Sequence, residues 1–101
     1  MILNDCATKT ISGENAFGKL SLHQTDDGSL TLHSNLYKEK FHSSSGARKE
    51  ANEKFLRPAQ LERFNNSTTI RVLDVCVGLG YNSACLIEEL RGSSKKLQWW
   101  G

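Results

Sequence analysis

The fold of this chain is decided by residues Ile70 to Ser83, which read Ile-Arg-Val-Leu-Asp-Val-Cys-Val-Gly-Leu-Gly-Tyr-Asn-Ser. An aliphatic, β-branched run breaks at a pair of glycines, and a segment suited to a helix, residues 84–90, follows directly. A strand, a glycine turn and a helix in this order let backbone amides approach a nucleotide-like ligand. Asp74 precedes the glycines, where its carboxylate can reach a ligand over the carboxyl end of the strand.

The composition of the whole chain is that of a soluble globular protein. Of the 101 residues, 38% are hydrophobic and 24% are charged, and the formal net charge is +2. No run approaches the roughly 20 apolar residues of a membrane span. The first residues lack the basic region and long apolar run of a secretory signal. We therefore expect a cytoplasmic protein with no membrane partner.

The cysteines and histidines give no pattern typical of a disulfide framework or a metal site. Cys6, Cys76 and Cys85 are odd in number and form no Cys-x-x-Cys pair, and the three histidines have no ligand spacing with them. A reducing compartment and the absence of a metal are therefore expected. Cys76 is predicted to be a small, inert, apolar residue on a buried strand.

Three segments are expected along the chain: an N-terminal arm at 1–18, a β-hairpin with helices at 19–66, and a first β-α-β unit at 67–101. Two alternating runs, residues 20–22 and 30–32, flank Asp27-Gly28, which is a hairpin signal because glycine accepts a positive φ. Tyr37 to Phe41 is expected to add a third short strand.

Helical spacing follows the hairpin region. The hydroxyls of Ser43 to Ser45 are suited to capping a helix that starts near Ala47. Its apolar side is predicted to carry three residues at helical spacing: Ala47, Ala51 and Phe55. Pro58 is expected to end this helix and to lie in the first turn of a second one.

The last apolar run, Leu97 to Trp100, is placed where a strand-helix-strand unit reaches its second parallel strand. Its tryptophans are expected to be core aromatics after a solvated strand start at Lys95-Lys96, and stacking on RNA bases is the alternative. A single such unit does not cover both faces of a parallel sheet. We therefore predict an α/β fold in which an N-terminal β-hairpin and helices precede the start of a Rossmann-like parallel sheet. The chain is expected to be the N-terminal part of a larger protein.

Two ligand classes fit the glycine turn, although a Gly-x-Gly after a strand can also be a tight turn only. Dinucleotide binders favour Gly-x-Gly-x-x-Gly or Ala, and the third position here is Ser83. S-adenosylmethionine (AdoMet) binders place an acid on the first strand before the glycines, as Asp74 is placed. The pattern favours AdoMet.

The same residues carry a family resemblance. Val72 to Asn82 resembles motif I of class I AdoMet-dependent methyltransferases, whose pattern has glycine where this chain has Cys76. A narrower resemblance, to the MnmC-like methyltransferases, covers about Leu20 to Gly101. It is carried by the Asp-Gly hairpin, the Leu-Gly-Tyr-Asn turn and four short motifs between them: Phe41-His42-Ser43, Gly46-Ala47, Glu50-Ala51 and Phe55-Leu56.

This resemblance implies AdoMet-dependent methylation of the aminomethyl group on a tRNA wobble uridine of the 5-aminomethyl-2-thiouridine type. The implied AdoMet-binding residues are Asp74, Gly78, Gly80, Tyr81 and Asn82. A second implied group lies beside the cofactor or the uridine: Phe41, His42, Ser43, Gly46 and Glu50. No catalytic residue is identified, and the resemblance does not say whether a partner oxidoreductase acts with the chain.

Three simpler roles and two other functions stay open at this point. His42 can be a partly buried structural histidine, Ser43 a helix cap, and Glu50 part of a solvated helix face. The chain can instead belong to an NAD(P)-dependent oxidoreductase, or be an inactive truncated product that keeps the start of the family. Little or no activity is expected of these 101 residues alone.

Overall fold

The computed structural model describes residues Thr10–Ile11 and 18–101. The described residues divide into two compact units, the first ending at Glu50 and the second running from Ala51 to Gly101. The first unit contains β1 (Thr10–Ile11), β2 (Leu20–Gln24), β3 (Leu30–Ser34), β4 (Glu39–Lys40) and α1 (Ala47–Glu50). The second contains a π-helix (Ala51–Leu56), α2 (Arg57–Ala59), a 3₁₀ helix (Leu61–Phe64), β5 (Thr69–Leu73), α3 (Tyr81–Glu89) and β6 (Lys96–Trp100).

The first unit is an antiparallel sheet with the strand order β1-β2-β3-β4. Strands β2 and β3 form the predicted hairpin, with Leu22 opposite Leu32 and with Gly28 at a φ of +85° in the turn. The third strand is confirmed as β4, which pairs with β3. Two residues of the predicted arm form β1, which pairs with β2. Apart from Gly18, the rest of that arm lies outside the described residues.

The hairpin turn caps α1 from a distance in sequence. Ser29 Oγ accepts hydrogen bonds from the N–H groups of Ala47, at 3.0 Å, and Arg48, at 3.2 Å. Asp27 Oδ2 accepts the N–H of Lys49 at 2.8 Å. The first N–H groups of a helix have no partner within it, and side-chain oxygens usually supply one. We name Thr25, Asp27 and Ser29 the capping turn.

The prediction that the local serines cap α1 is therefore wrong. Ser43 Oγ is engaged instead with Ser45, whose Oγ lies 2.8 Å away and whose N–H it accepts at 3.2 Å. The Ser44 hydroxyl accepts a hydrogen bond from Lys40 Nζ at 2.9 Å. These bonds stabilise the bend before the helix, whereas the helix N–H groups point to the capping turn.

The second unit contains the predicted parallel pair. Strands β5 and β6 are parallel, with Ile70 opposite Leu97 and Val72 opposite Trp99, and α3 connects them. Ile70 is 3% exposed, and Cys85 and Leu86 on α3 are also buried. Strand, helix and parallel strand confirm the α/β class. In the described part of the chain, no helix is long and apolar enough to cross a membrane.

The helical stretch of the second unit differs from the predicted pair of α-helices. A π-helix precedes α2, which holds Pro58 at its start and ends where Gln60 takes a φ of +51°. The following segment is a 3₁₀ helix. Ala47 and Ala51 are buried as predicted, but Phe55 is 53% exposed because it lines an open cavity. The prediction of a buried Phe55 is wrong.

One lysine ties the loop before β5 to the loop before β6. Lys95 Nζ donates to the carbonyl oxygens of Phe64, at 2.7 Å, and Asn65, at 3.1 Å, and also to that of Ser67. Carbonyls at the end of a helix lack partners within it, and a cation there also interacts favourably with the helix dipole. Lys95 thus fixes where the chain enters β5.

Replacing Lys95 with methionine is expected to lower the free energy of unfolding by about 2 kcal/mol, because hydrogen bonds to a charged group are lost. Urea denaturation followed by tryptophan fluorescence measures this change. The matched control is Lys96→Met, since Lys96 is the exposed neighbour. Equal losses in the two variants would contradict the role assigned to Lys95.

Candidate functional site

The predicted cofactor residues lie where β5 ends. Strand β5 stops at Leu73, and Asp74 follows it directly. Its N–H donates to the carbonyl oxygen of Trp100 at 2.8 Å, so the ends of β5 and β6 are tied together at this acid. Asp74 is only 8% exposed. A buried carboxylate therefore stands at the carboxyl edge of the parallel pair, which is where open α/β sheets bind ligands.

The two glycines form an open bend after this acid. Gly78 has a φ of +57°, and Gly80 has a φ of +81° and is the N-cap of α3. The bend is closed by the N–H of Gly80, which donates to Val77 O at 2.9 Å. A Cβ atom at Gly80 would meet nothing within 4 Å. The backbone is thus bent as the sequence predicts, and the space beside Gly80 is open to a ligand.

Ser83 holds the carboxylate of Asp74. Its hydroxyl donates a short hydrogen bond to Asp74 Oδ2, and the indole Nε1 of Trp99 donates to Ser83 Oγ at 2.7 Å. Sequence reasoning treated Ser83 only as an unfavoured third glycine position and Trp99 as a core residue. Trp99 is in fact 44% exposed and Trp100 is 54% exposed, so the prediction of core aromatics is wrong. The sequence signal for these contacts was the hydroxyl of Ser83 at the third glycine position of the motif.

A cavity of about 470 Å³ adjoins the site within the second unit. Its walls are mainly apolar and come from the helical residues 55–64, from β5 and from α3, and Asp74, Asn82 and Ser83 also line it. Gly78, Gly80 and Tyr81 are not among its lining residues. The predicted cofactor residues are thus neighbours on one loop and helix start, and two of them reach the cavity.

Cys76 differs from its prediction. It lies after the end of β5, it is exposed, and its φ of +59° is in the left-handed region. The side chain of an L-residue crowds the backbone in this region, whereas glycine has no Cβ to crowd. This conformation explains why the motif of the resembling family has glycine at this position. The prediction of a buried strand residue is wrong.

Replacing Cys76 with glycine is expected to raise the free energy of unfolding by roughly 0.5–1 kcal/mol, since the relieved backbone strain exceeds the added freedom of the unfolded chain. Thermal unfolding followed by circular dichroism measures the gain. The exposed neighbour Val75 is the matched control, because its φ is not positive. We expect Val75→Gly to be destabilising, and a gain in both variants would contradict this explanation.

The second predicted group lies in the first unit, on an open cleft of about 530 Å³. Phe41, His42, Ser43 and Glu50 line this cleft. Glu50 Oε2 accepts the N–H of Ser43 at 2.8 Å, which joins the helix to the bend before it. Gly46 is buried and does not line the cleft. A Cβ atom at Gly46 would lie 2.3 Å from Asp27 Oδ2, so glycine is needed there for the capping turn.

His42 is the titratable group of interest in this cleft. Its Nδ1 lies 3.0 Å from Thr31 Oγ1, in a hydrogen bond whose direction depends on the tautomer. Burial lowers the pKa of His42 below its ordinary value, and the nearby carboxylate of Glu50 opposes this shift. Burial thus favours the neutral form of this imidazole over the charged form. No group of three or more potential metal ligands occurs in the part of the chain that the structure describes.

The chain is similar to known proteins in sequence and in structure. No protein-family model matches the chain. Over 62 residues, 61% of the chain, it is 44% identical to the uncharacterized protein MJ0670 of Methanocaldococcus jannaschii. The structure is similar to the crystal structure of MnmC2 from Aquifex aeolicus, with a TM-score of 0.74 and 37% sequence identity over 79% of this chain. The chain spans 17% of the first protein and 28% of the second.

The similarity to MnmC2 is present in both the fold and the sequence. It covers 79% of this chain at 37% sequence identity, and the chain has a mixed α/β architecture with a parallel pair of strands. The start of a Rossmann-like sheet is thereby confirmed, as is the resemblance of this chain to the MnmC-like proteins.

Proposed function

We propose that this chain forms part of the AdoMet-binding region of a tRNA-modifying methyltransferase. The substrate would be the aminomethyl group on a wobble uridine of the 5-aminomethyl-2-thiouridine type. The observation that carries the proposal is the open bend at Gly80 beside the buried carboxylate of Asp74, in a chain 37% identical to MnmC2. The predicted organisation, with an arm at 1–18, a hairpin and helices at 19–66 and the cofactor unit at 67–101, belongs to this proposal, as does a cytoplasmic location.

The residues of the bend fit a nucleoside ligand. Gly78 and Gly80 have no side chains to cover the backbone at this bend, and the start of α3 presents N–H groups beside it. Asp74 offers a carboxylate that accepts hydrogen bonds from hydroxyl or ammonium groups. The residues that would hold AdoMet are Asp74, Gly78, Gly80, Tyr81 and Asn82. AdoMet supplies an electrophilic methyl group on a sulfonium sulfur.

The chain's own contribution to such a reaction is orientation. Methyl transfer to an amine is an in-line displacement, so its rate depends on how closely the amine nitrogen is positioned and on whether that amine is neutral. Asp74 and the backbone of the glycine bend would orient the cofactor without taking part in bond-making. The walls of the adjoining cavity are mainly apolar, with Asp74, Asn82 and Ser83 as polar lining residues.

The cleft of the first unit is lined by most of the residues that the resemblance assigns to the neighbourhood of the cofactor or the uridine. These are Phe41, His42, Ser43, Gly46 and Glu50, and all but Gly46 line the cleft. His42, whose pKa burial lowers, lies in this cleft with its Nδ1 3.0 Å from Thr31 Oγ1. Gly46 and Glu50 would act indirectly, because their contacts shape the bend and helix that present Phe41 to Ser43.

Titration calorimetry of the 101-residue chain tests the cofactor part of this proposal. We expect S-adenosylhomocysteine and AdoMet to bind in a one-to-one ratio, and NAD⁺ to give no heat beyond dilution. Binding of NAD⁺ in preference to both would support an oxidoreductase. Binding of none of the three would overturn the proposal for this chain.

A further inference from the structure

Three side chains from three elements form a network at the carboxyl edge of the parallel pair. Trp99 lies on β6, Ser83 lies in the first turns of α3, and Asp74 follows β5. Indole Nε1 is 2.7 Å from Ser83 Oγ, and Ser83 Oγ is in short contact with Asp74 Oδ2. We name these three residues the Asp74 network.

The chemistry of the groups fixes the direction of both hydrogen bonds. An indole N–H donates and never accepts, so Ser83 Oγ must accept from Trp99. An ionised carboxylate only accepts, so the hydroxyl proton of Ser83 points at Asp74 Oδ2. Within residues 18–101, no other side chain donates a hydrogen bond to this carboxylate. Oδ2 is therefore occupied by the protein, and Oδ1 is left to an incoming group.

The position of the Trp99 ring depends on the residue that follows the strand. A Cβ atom at Gly101 would lie 2.4 Å from two ring carbons of Trp99 and 2.6 Å from a methyl group of Val77. Because Gly101 has no side chain, the Trp99 ring can occupy the space that a Cβ atom would fill. In this position its indole N–H is within hydrogen-bonding distance of Ser83.

We infer that Ser83 and Trp99 are positioning residues that hold the carboxylate of Asp74 in one orientation, with Oδ1 presented to a hydrogen-bond donor of the ligand. This inference rests on the proposed cofactor site. The donor class is an ammonium or hydroxyl group, because a carboxylate oxygen accepts from either. Prior orientation reduces the loss of side-chain freedom that binding would otherwise require. A purely structural role, in which the network only anchors β6 to α3, makes different predictions.

The first test needs no ligand. The indole N–H signal of Trp99 is assigned in a ¹H–¹⁵N spectrum with Trp99→Phe, and the signal of Trp100 serves as the internal control. We expect Ser83→Ala to shift the Trp99 signal and to speed its exchange with solvent. Asp74→Asn should also shift it, although Asp74 does not touch the indole. An unchanged Trp99 signal in Asp74→Asn would overturn the network whatever the ligand does.

The second test is calorimetric titration of S-adenosylhomocysteine into four variants. Ser83→Ala is expected to weaken binding about tenfold, because it removes the hydrogen bond to Asp74 itself. Trp99→Phe is expected to weaken binding about threefold, because it removes a hydrogen bond that acts on Asp74 only through Ser83. Ser83→Thr keeps the hydroxyl and should restore most of the affinity. Trp100→Phe, the adjacent tryptophan, should leave it unchanged. Circular dichroism confirms that each variant is folded.

The outcomes separate the two proposals. If the unmodified chain binds and both Ser83→Ala and Trp99→Phe bind equally well, the network is structural only and the positioning role is overturned. If the unmodified chain does not bind while the Trp99 signal responds to Asp74→Asn, the cofactor proposal fails, and with it the role of the network in preparing a cofactor site. Weakened binding with rescue by threonine supports both.

Discussion

Replacing Asp27 with alanine is expected to lower the free energy of unfolding of the first unit by about 3 kcal/mol. Asp27 Oδ1 accepts hydrogen bonds from the Thr25 hydroxyl at 2.8 Å and the Ser29 N–H at 2.9 Å, and Oδ2 accepts from Lys49. Losing the carboxylate removes a helix cap and leaves several donors without their acceptor. Amide hydrogen exchange at residues 47–49 measures the effect where it arises, and urea denaturation followed by circular dichroism gives its size.

The matched control is Asp26→Ala, the exposed neighbour in the same turn, whose side chain accepts no hydrogen bond from the described residues. It should change stability by less than about 0.5 kcal/mol. Similar losses in both variants would show that charge in the turn, and not the cap, is what matters.

The same residue gives a dependence on pH. Burial raises the pKa of Asp27, but hydrogen bonds from Ser29, and then from Lys49 and Thr25, outweigh it and hold the pKa well below its ordinary value of 3.8. The stabilisation by the ionised form is thus complete above pH 3.8 and is lost as pH falls through the lower folded value. Asp27→Ala should be less sensitive to acid in this range.

Replacing Asp74 with alanine is expected to weaken the binding of S-adenosylhomocysteine by ten- to one-hundredfold. A hydrogen bond to a charged group contributes about 1.5–3 kcal/mol, and every 1.4 kcal/mol is a factor of ten in affinity. Removing the carboxylate also leaves the Ser83 hydroxyl without its acceptor. Calorimetric titration measures the affinity, and circular dichroism checks the fold.

A control on the same element is Glu89→Ala, since Glu89 is an exposed acid at the far end of α3. It should bind the ligand as the unmodified chain does. If Asp74→Ala also kept full affinity, the ligand role of this acid would be wrong even though its place at the sheet edge stands.

The parts of the fold that sequence could predict depend on local signals. The alternation around Asp27-Gly28 identified the hairpin because strand periodicity and turn chemistry lie within about fifteen residues. The aliphatic run, the paired glycines and the helix-compatible segment identified β5, the bend and α3 in the same way. Asp74, which was predicted on the strand, follows it directly, so the local signals located this acid to within one residue.

The features that sequence missed depend on contacts between distant residues. The cap of α1 comes from Ser29, 18 residues before Ala47, and from Asp27, 22 residues before Lys49. No local pattern at residues 43–46 distinguishes this cap from one made by the nearby serines. The link from Trp99 to Ser83 likewise requires β6 to lie beside β5.

The conformation of Cys76 was missed for a different reason. A cysteine after an aliphatic run has the pattern of a buried strand residue, and backbone dihedral angles are not visible in hydropathy. The departure from glycine at this position was the available signal, because an expected glycine indicates a backbone that other residues adopt only with strain.

The two sheets differ in how their strands must meet during synthesis. In the first unit, adjacent strands pair across a short turn, with Gln24 opposite Leu30, and such hairpins close within microseconds. In the second unit, Arg71 pairs with Gln98, which is synthesised 27 residues later. Strand β5 therefore has no partner strand until β6 has been made. On a ribosome the hairpin sheet can thus form while β5 still has an unpaired edge, and such an edge is open to pairing with other chains.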